Sequence, residues 1–223
     1  MIDFVELRRG MVDGQVRTND VTDHRIVSAM LDIPREKFVP QALKSLAYID
    51  DDLEIRPAAG SKPARYIMEP MILARLVQLA DVDEKDHVLD VGAGSGYGAA
   101  VLSRLAQQVV ALEEDAELAA LANKTLSDLG VGNVAVMQGV LEAGWAAEAD
   151  YDLILIEGAV EVIPEKLFAQ LKEGGRLVAV VGEGGAGRAC IFTKVGGKLS
   201  ERVAFNAAIP SLPGFKAPPR FIF

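Results

Sequence analysis

The run Val88-Leu89-Asp90-Val91-Gly92-Ala93-Gly94-Ser95-Gly96-Tyr97 sets three glycines at alternate positions directly after a strand-like segment. Without a Cβ, such a turn lets the main chain approach a ligand closely and take torsions closed to other residues. A second feature lies roughly twenty residues beyond Gly92, where the apolar run Val109 to Leu112 ends at Glu113. A carboxylate at a strand tip accepts hydrogen bonds from both hydroxyls of a ribose. Loop and acid together therefore describe a site for a ribose-bearing ligand. Dinucleotide sites space their glycines Gly-x-Gly-x-x-Gly, the third one letting the helix pack by the pyrophosphate. Here the run is Gly-x-Gly-x-Gly, with a further glycine at 98. A nicotinamide enzyme is the competing reading at this step.

The elements that must position these residues alternate strand and helix, the pattern of a mainly parallel sheet covered on both faces. Strands are expected at His87 to Val91, Val109 to Glu113, Val134 to Met137, Asp152 to Ile156 and Arg176 to Val181. Helical patterns fill Gly98 to Ala106, Ala116 to Leu129 and Pro164 to Leu171, with Gly130 and Gly174 at the helix C-termini. Two last strands, Ala189 to Lys194 and Leu199 to Ala207, flank Gly196-Gly197 and read as an antiparallel hairpin on the sheet edge. Before the sheet, Asp23 caps a helix ended by Pro34, and Pro70 starts another that carries Ile72, Leu73, Leu76 and Leu79. Between Asp50 and Pro70, three aspartates followed by Pro57, Gly60 and Pro63 predict a long irregular loop, a kind that tends to be functional. The tail from Pro210 to Pro219 holds four prolines and is expected to lie as an ordered loop over the sheet.

Length and composition narrow the class. The 223 residues suit one α/β domain, a Rossmann-like doubly wound, mainly parallel sheet with a C-terminal antiparallel hairpin and an N-terminal helical extension. Residues 1–80 are expected as a helical and substrate-loop region packed on a core spanning 81–223. A net charge of -9 argues against nucleic acid and anionic lipid as partners. No apolar segment reaches the ~20 residues that a bilayer needs, and no leader pattern opens the chain, so a cytoplasmic location is expected. One cysteine, Cys190, excludes an internal disulfide and reads as a buried thiol. With two histidines beside it, no zinc set can be assembled, and no metal is expected.

Asp90 and the tight glycine spacing resemble the first motif of class I S-adenosylmethionine-dependent methyltransferases. The resemblance then narrows. Met11-Val12-Asp13-Gly14-Gln15-Val16-Arg17, Val21-Thr22-Asp23, Ile33-Pro34-Arg35-Glu36-Lys37-Phe38-Val39-Pro40 and Ala47-Tyr48 resemble the N-terminal region of protein-L-isoaspartate O-methyltransferases. Val88 to Leu102, and Tyr151-Asp152 to Gly182 with Ile163-Pro164 and Gly174-Gly175-Arg176-Leu177-Val178, resemble the cofactor loop and later strands of that family. The likeness runs from about Met11 to Phe205. It implies S-adenosyl-L-methionine as cofactor and the carboxylate of an isoaspartyl residue in a protein or peptide as methyl acceptor. The implied cofactor contacts are Asp90, Gly92, Ala93, Gly94, Ser95, Gly96, Glu113, Glu114, Val140, Leu141 and Glu157. The implied substrate cleft holds Tyr66, Ile67, Met68 and Glu157.

The chain departs from the family pattern where the acceptor should bind. A loop of the form Gly-Gln-Thr-Ile-Ser-x-Pro is replaced by Tyr66-Ile67-Met68-Glu69-Pro70, with Met68 at the serine position and Tyr66 at the threonine. A thioether donates no hydrogen bond to a carboxylate, and Glu69 repels one. After the third strand of the sheet Gln138-Gly139-Val140-Leu141 replaces a Gly-Asp-Gly turn, and Glu157 stands where the family has a small or hydroxyl residue. A methyltransferase for a different acceptor, and a non-catalytic cofactor-binding member, therefore stand beside isoaspartyl methylation as readings.

Overall fold

The computed structural model describes residues 2–183 and 186–218. The apolar runs become a seven-stranded sheet. Its parallel part is β3 (His87–Val91), β4 (Gln108–Glu113), β5 (Val134–Gln138), β6 (Tyr151–Val160) and β7 (Leu171–Glu183). Two antiparallel strands, β8 (Ala186–Val195) and β9 (Lys198–Ala207), extend one edge. They are joined by Gly196 and Gly197, whose φ angles of 59° and 70° supply the left-handed turn a two-residue hairpin needs. The spatial order is β5-β4-β3-β6-β7-β8-β9. The chain winds outward from β3 to β5 and then returns to the far side of β3, so the order reverses between β3 and β6. Ligand crevices of open α/β sheets form at such a reversal, beyond the carboxyl ends of the strands.

Six helices accompany the sheet among the described residues: α1 (Phe4–Met11), α2 (His24–Asp32), α3 (Pro70–Ala80), α4 (Tyr97–Leu102), α5 (Ala116–Asp128) and α6 (Glu165–Ala169). Asp23 caps α2 by accepting the Arg25 N–H at 2.8 Å, and Pro70 occupies the first turn of α3. Alternate residues along the strands face two apolar clusters. Val88, Leu153 and Val178 pack with Met11, Phe38 and Leu73, so the N-terminal segment shares a core with the sheet. Leu89, Ile154 and Leu177 face the other cluster, which Leu212 and Phe215 of the tail complete. Cys190 is buried in β8. No helix among the described residues is long and apolar enough to cross a membrane.

Three expectations need correction. The segment from Asp50 to Pro70 is not wholly irregular: β1 (Leu53–Arg56) pairs antiparallel with β2 (Arg65–Ile67), Leu53 opposite Ile67. Leu53 and Ile55 do alternate with exposed Glu54, but the run is too short to stand out among the aspartates and prolines. Helix α4 stops at Leu102, because Arg104 and Leu105 donate to the carbonyls three residues back and tighten the chain into turns. Gly174, with φ of 80°, lies within β7 rather than at the end of α6. The tail does lie over the sheet as far as it is described. Ala159 donates to Pro210 O at 2.9 Å and Leu212 donates to Ala159 O at 2.8 Å. Pro219 lies outside the described residues.

Candidate active site

The glycine loop is folded over the end of β4. Gly92 and Ala93 both donate to Leu112 O, at 2.9 and 3.2 Å. Gly92, Gly94 and Gly96 have φ of 84°, 55° and 92°, a region that a side chain would strain. The bent loop aims the Gly94 N–H at Glu113 Oε2 (2.8 Å), while the Asp115 N–H reaches Oε1 (2.9 Å). Backbone donors thus hold a fully buried carboxylate at the strand tip.

A side chain from β2 takes up the rest of its acceptor capacity. The Arg65 guanidinium grips Glu113 with both terminal nitrogens, Nη2 at 2.8 Å from Oε2, and Nη2 also reaches Gly92 O at 3.3 Å. Two further ion pairs tie the same hairpin to the strand end: Arg56 Nε and Lys62 Nζ lie 3.2 and 3.3 Å from Asp115 Oδ2. Leu212 closes the crevice from the tail. A Cβ on Gly92 would stand 2.8 Å from Leu212 Cδ1, and one on Gly158 would stand 2.8 Å from Leu212 Cβ. What remains between Arg65, Met68, Glu157 and the tail is a cavity of about 20 Å³, room for about one water molecule.

Beneath the loop lie two carboxyls without partners. Asp90 is fully buried and neither of its oxygens receives a hydrogen bond; Glu157 Oε1 is shut from solvent and unpartnered too. The Glu157 carboxyl borders the small cavity and lies across Gly98, where a Cβ would be 1.6 Å from Oε1. Burial pushes Asp90 up to about 7, against a hydrogen bond with protonated Glu157 that pulls it down, and the Glu113 charge adds to the rise. Burial pushes Glu157 well above the usual carboxylate range, with the Asp90 charge adding to it and Arg35 and Arg65 opposing. As ions neither acid could donate to the other, so a proton retained between them at neutral pH supplies the missing donor.

That pair makes stability depend on pH. Both folded-state values lie above the unfolded ones, so its contribution is full below the unfolded values and falls as pH rises toward and through 7. Glu157→Gln, which offers Asp90 a permanent donor, is expected to be more stable than the parent by about 1–3 kcal/mol at pH 8. The advantage should shrink toward pH 5. Thermal melts at the two pH values check this, and a gap that does not change with pH would refute it.

The structure brings Asp90, the loop residues Gly92, Ala93, Gly94, Ser95 and Gly96, Glu113, Glu157, Tyr66 and Met68 to one crevice. Ser95 Oγ in the loop and Tyr97 OH at the start of α4 are also buried without partners. Ile67 and Met68 are packed into the core, whereas Tyr66 is half-buried and donates to Glu54 at 3.3 Å. Glu114 is exposed and lines a cavity of about 260 Å³ beside Arg65 and Asp115. Val140 is 54% exposed just after β5, and the Leu141 side chain is packed into the second core. Sequence reasoning missed Arg65, Leu212 and Arg35. The last is fully buried, donating to Ala47 O and Met68 O at 2.8 Å each. A cation inside an otherwise apolar stretch was the available signal for Arg65, and nothing in the proline-rich tail singled out Leu212.

The residues present fit the group that the loop motif implies. A glycine cradle open to any ligand that displaces Leu212, and a carboxylate whose oxygens are pre-aimed by two N–H groups, suit a ribose with an attached chain. Arg65 pairs with that carboxylate, and Leu212 lies against Gly92.

Comparisons with known proteins bear on the family and the fold. Residues 8–208 match the profile of the family described as Protein-L-isoaspartate(D-aspartate) O-methyltransferase (PCMT). A Protein-L-isoaspartate O-methyltransferase of Koribacter versatilis is 41% identical over 192 residues, covering 86% of this chain and 84% of that one. A solved protein-L-isoaspartate O-methyltransferase is 27% identical with a TM-score of 0.81, over 93% of this chain and 66% of that one. A Plasmodium falciparum beta-aspartate methyltransferase, solved in complex with S-adenosyl-L-homocysteine, is 20% identical with a TM-score of 0.75 over 95% of this chain, and speaks for the fold.

Proposed function

The chain belongs to the protein-L-isoaspartate(D-aspartate) O-methyltransferase family, and from that premise we propose that it methylates the free carboxylate of isoaspartyl residues in proteins or peptides. When bound, S-adenosylmethionine supplies an electrophilic methyl group, whose transfer to a carboxylate oxygen yields a methyl ester and a neutral thioether with no proton moved. The acceptor is already ionised at neutral pH, so the protein's task is alignment and exclusion of water rather than base catalysis. The observation that carries the reading is Glu113, held at the tip of β4 by the N–H groups of Gly94 and Asp115. It would take the ribose hydroxyls. Gly92, Ala93, Gly94, Ser95 and Gly96 would hold the methionine end, with Glu114 at the nucleoside side. Glu157, next to Asp90, would face the sulfonium, and Tyr66, Ile67 and Met68 would flank the acceptor.

In this reading residues 1–80 form the acceptor side, 81–223 form the cofactor side, and Leu212 of the tail excludes water once the ligand is seated. The acidic balance argues against nucleic acid as a partner, and a cytoplasmic location is part of the same reading. The test is methyl transfer from labelled S-adenosylmethionine to an isoaspartyl peptide, with the matching normal aspartyl peptide as control. Transfer to the isoaspartyl peptide alone is expected. No transfer to it, with S-adenosylhomocysteine binding shown calorimetrically, would overturn the acceptor.

A further inference from the structure

We infer that Arg65 is a two-position residue: in the closed crevice it latches Glu113, and once a ribose takes that carboxylate, its guanidinium receives the acceptor's carboxylate beside Met68. The second position rests on the isoaspartyl reading above; the first does not.

The latch follows from hydrogen-bond capacity. Glu113 Oε1 accepts from Asp115 N and Arg65 Nη1, and Oε2 accepts from Gly94 N and Arg65 Nη2. Two ribose hydroxyls and a bidentate guanidinium compete for the same lone pairs, so the two states exclude each other. Both partners are buried, and a buried guanidinium deprived of its carboxylate is costly until it finds another anion. The place for that anion is adjacent. Arg65 separates the cavity by Asp115 from the small one by Met68 and Glu157, and lines both. Among the residues lining the small cavity it is the one cation, facing Asp52 and Glu157. Met68 offers no donor at the position where a serine hydroxyl was expected, and its carbonyl is already taken by Arg35. A carboxylate entering there meets the freed guanidinium as its receptor. The arrangement makes binding ordered, with the ribose opening the latch and thereby creating the acceptor site.

The test uses the full chain and three variants, Arg65→Gln, Arg65→Lys and Arg65→Met, with S-adenosylhomocysteine and a fluorescent isoaspartyl peptide as probes. Calorimetry reads the latch without any turnover. Arg65→Gln and Arg65→Met, each checked as folded by its thermal melt, are expected to bind S-adenosylhomocysteine about tenfold more tightly than the parent, since a competing charge-assisted pair is gone. Anisotropy reads the second position. The parent should bind the peptide at least about tenfold more tightly with S-adenosylhomocysteine present, a coupling lost in Arg65→Gln and partly restored in Arg65→Lys, which keeps the charge. In turnover assays with saturating donor the loss should fall on peptide KM rather than on kcat. Weaker S-adenosylhomocysteine binding in all three variants would overturn the latch, because a supporting residue, unlike a competitor, weakens the site when removed. Tighter cofactor binding with unchanged peptide affinity would overturn the receptor position. A parent that binds S-adenosylhomocysteine but no isoaspartyl peptide would overturn the acceptor reading and the receptor position together, while the calorimetry decides the latch separately.

Discussion

Replacing Glu113 by alanine is expected to lower folding stability by about 3–5 kcal/mol, seen as a lower urea midpoint with little change in slope. Glu113 is sealed from solvent and the Arg65 side chain is only 5% exposed. Truncation leaves a guanidinium without a counter-charge and strands the N–H groups of Gly94 and Asp115. S-adenosylhomocysteine affinity should vanish in the same variant, since the ribose loses its acceptor. The double variant Glu113→Leu with Arg65→Met is expected to recover most of the stability, because exchanging a whole buried ion pair for apolar groups is often near neutral. Cofactor affinity should not return with it. The separation of the two readouts distinguishes a carboxylate that serves the ligand from one that serves only the fold. A loss below about 1 kcal/mol in the alanine variant would mean that the pair is solvated, and hence that the crevice stands open in solution.

How much of this site could be read from the residues depends on whether a feature is local. The strand at His87–Val91, the loop after it and the acid at the tip of β4 were legible, because each rests on a short run whose period or composition has one structural solution. The Gly196-Gly197 hairpin was legible for the same reason. The closure of the crevice was not. Arg65 meets Glu113 across a separation of 48 residues, and Leu212 fills space above Gly92 only because Ala159 grips the tail backbone. Arg65 stands out only as a cation in an apolar stretch, which does not name its partner, and Leu212 carries no mark in its own neighbourhood. The β1–β2 ribbon escaped for a different reason: Leu53 and Ile55 make a strand only when Ile67 pairs beside them. The resemblance alone implied Val140 and Leu141 as cofactor contacts; in the structure the Leu141 side chain lies in the apolar cluster with Leu167 and Phe215.

Arg35 was visible only as one letter of a family-like run, yet its replacement by alanine is expected to cost about 3–5 kcal/mol. Its Nε donates to Ala47 O and its Nη2 to Met68 O, both at 2.8 Å, and the guanidinium stacks 4.7 Å from the Tyr97 ring centroid. Phe38 meets the same ring edge-on at 5.6 Å. One buried side chain thus ties the short turn Arg35–Lys37, Met68 at the end of β2 and the first turn of α4. Deleting it leaves a cavity and two buried carbonyls without donors. Burial pushes the Arg35 guanidinium below its ordinary range, while the facing Tyr97, Glu157 and Asp52 pull it back up. Arg35→Lys should rescue little, since a compact ammonium cannot span both carbonyls and stack on the ring. The functional consequence lies on the acceptor side. With Met68 O released, KM for an isoaspartyl peptide is expected to rise by about tenfold or more, while S-adenosylhomocysteine affinity falls much less, because the bonds that hold Glu113 do not involve Arg35. Urea midpoints and the two affinities check this, and equal losses on both sides would show that Arg35 supports the fold at large rather than the end of β2.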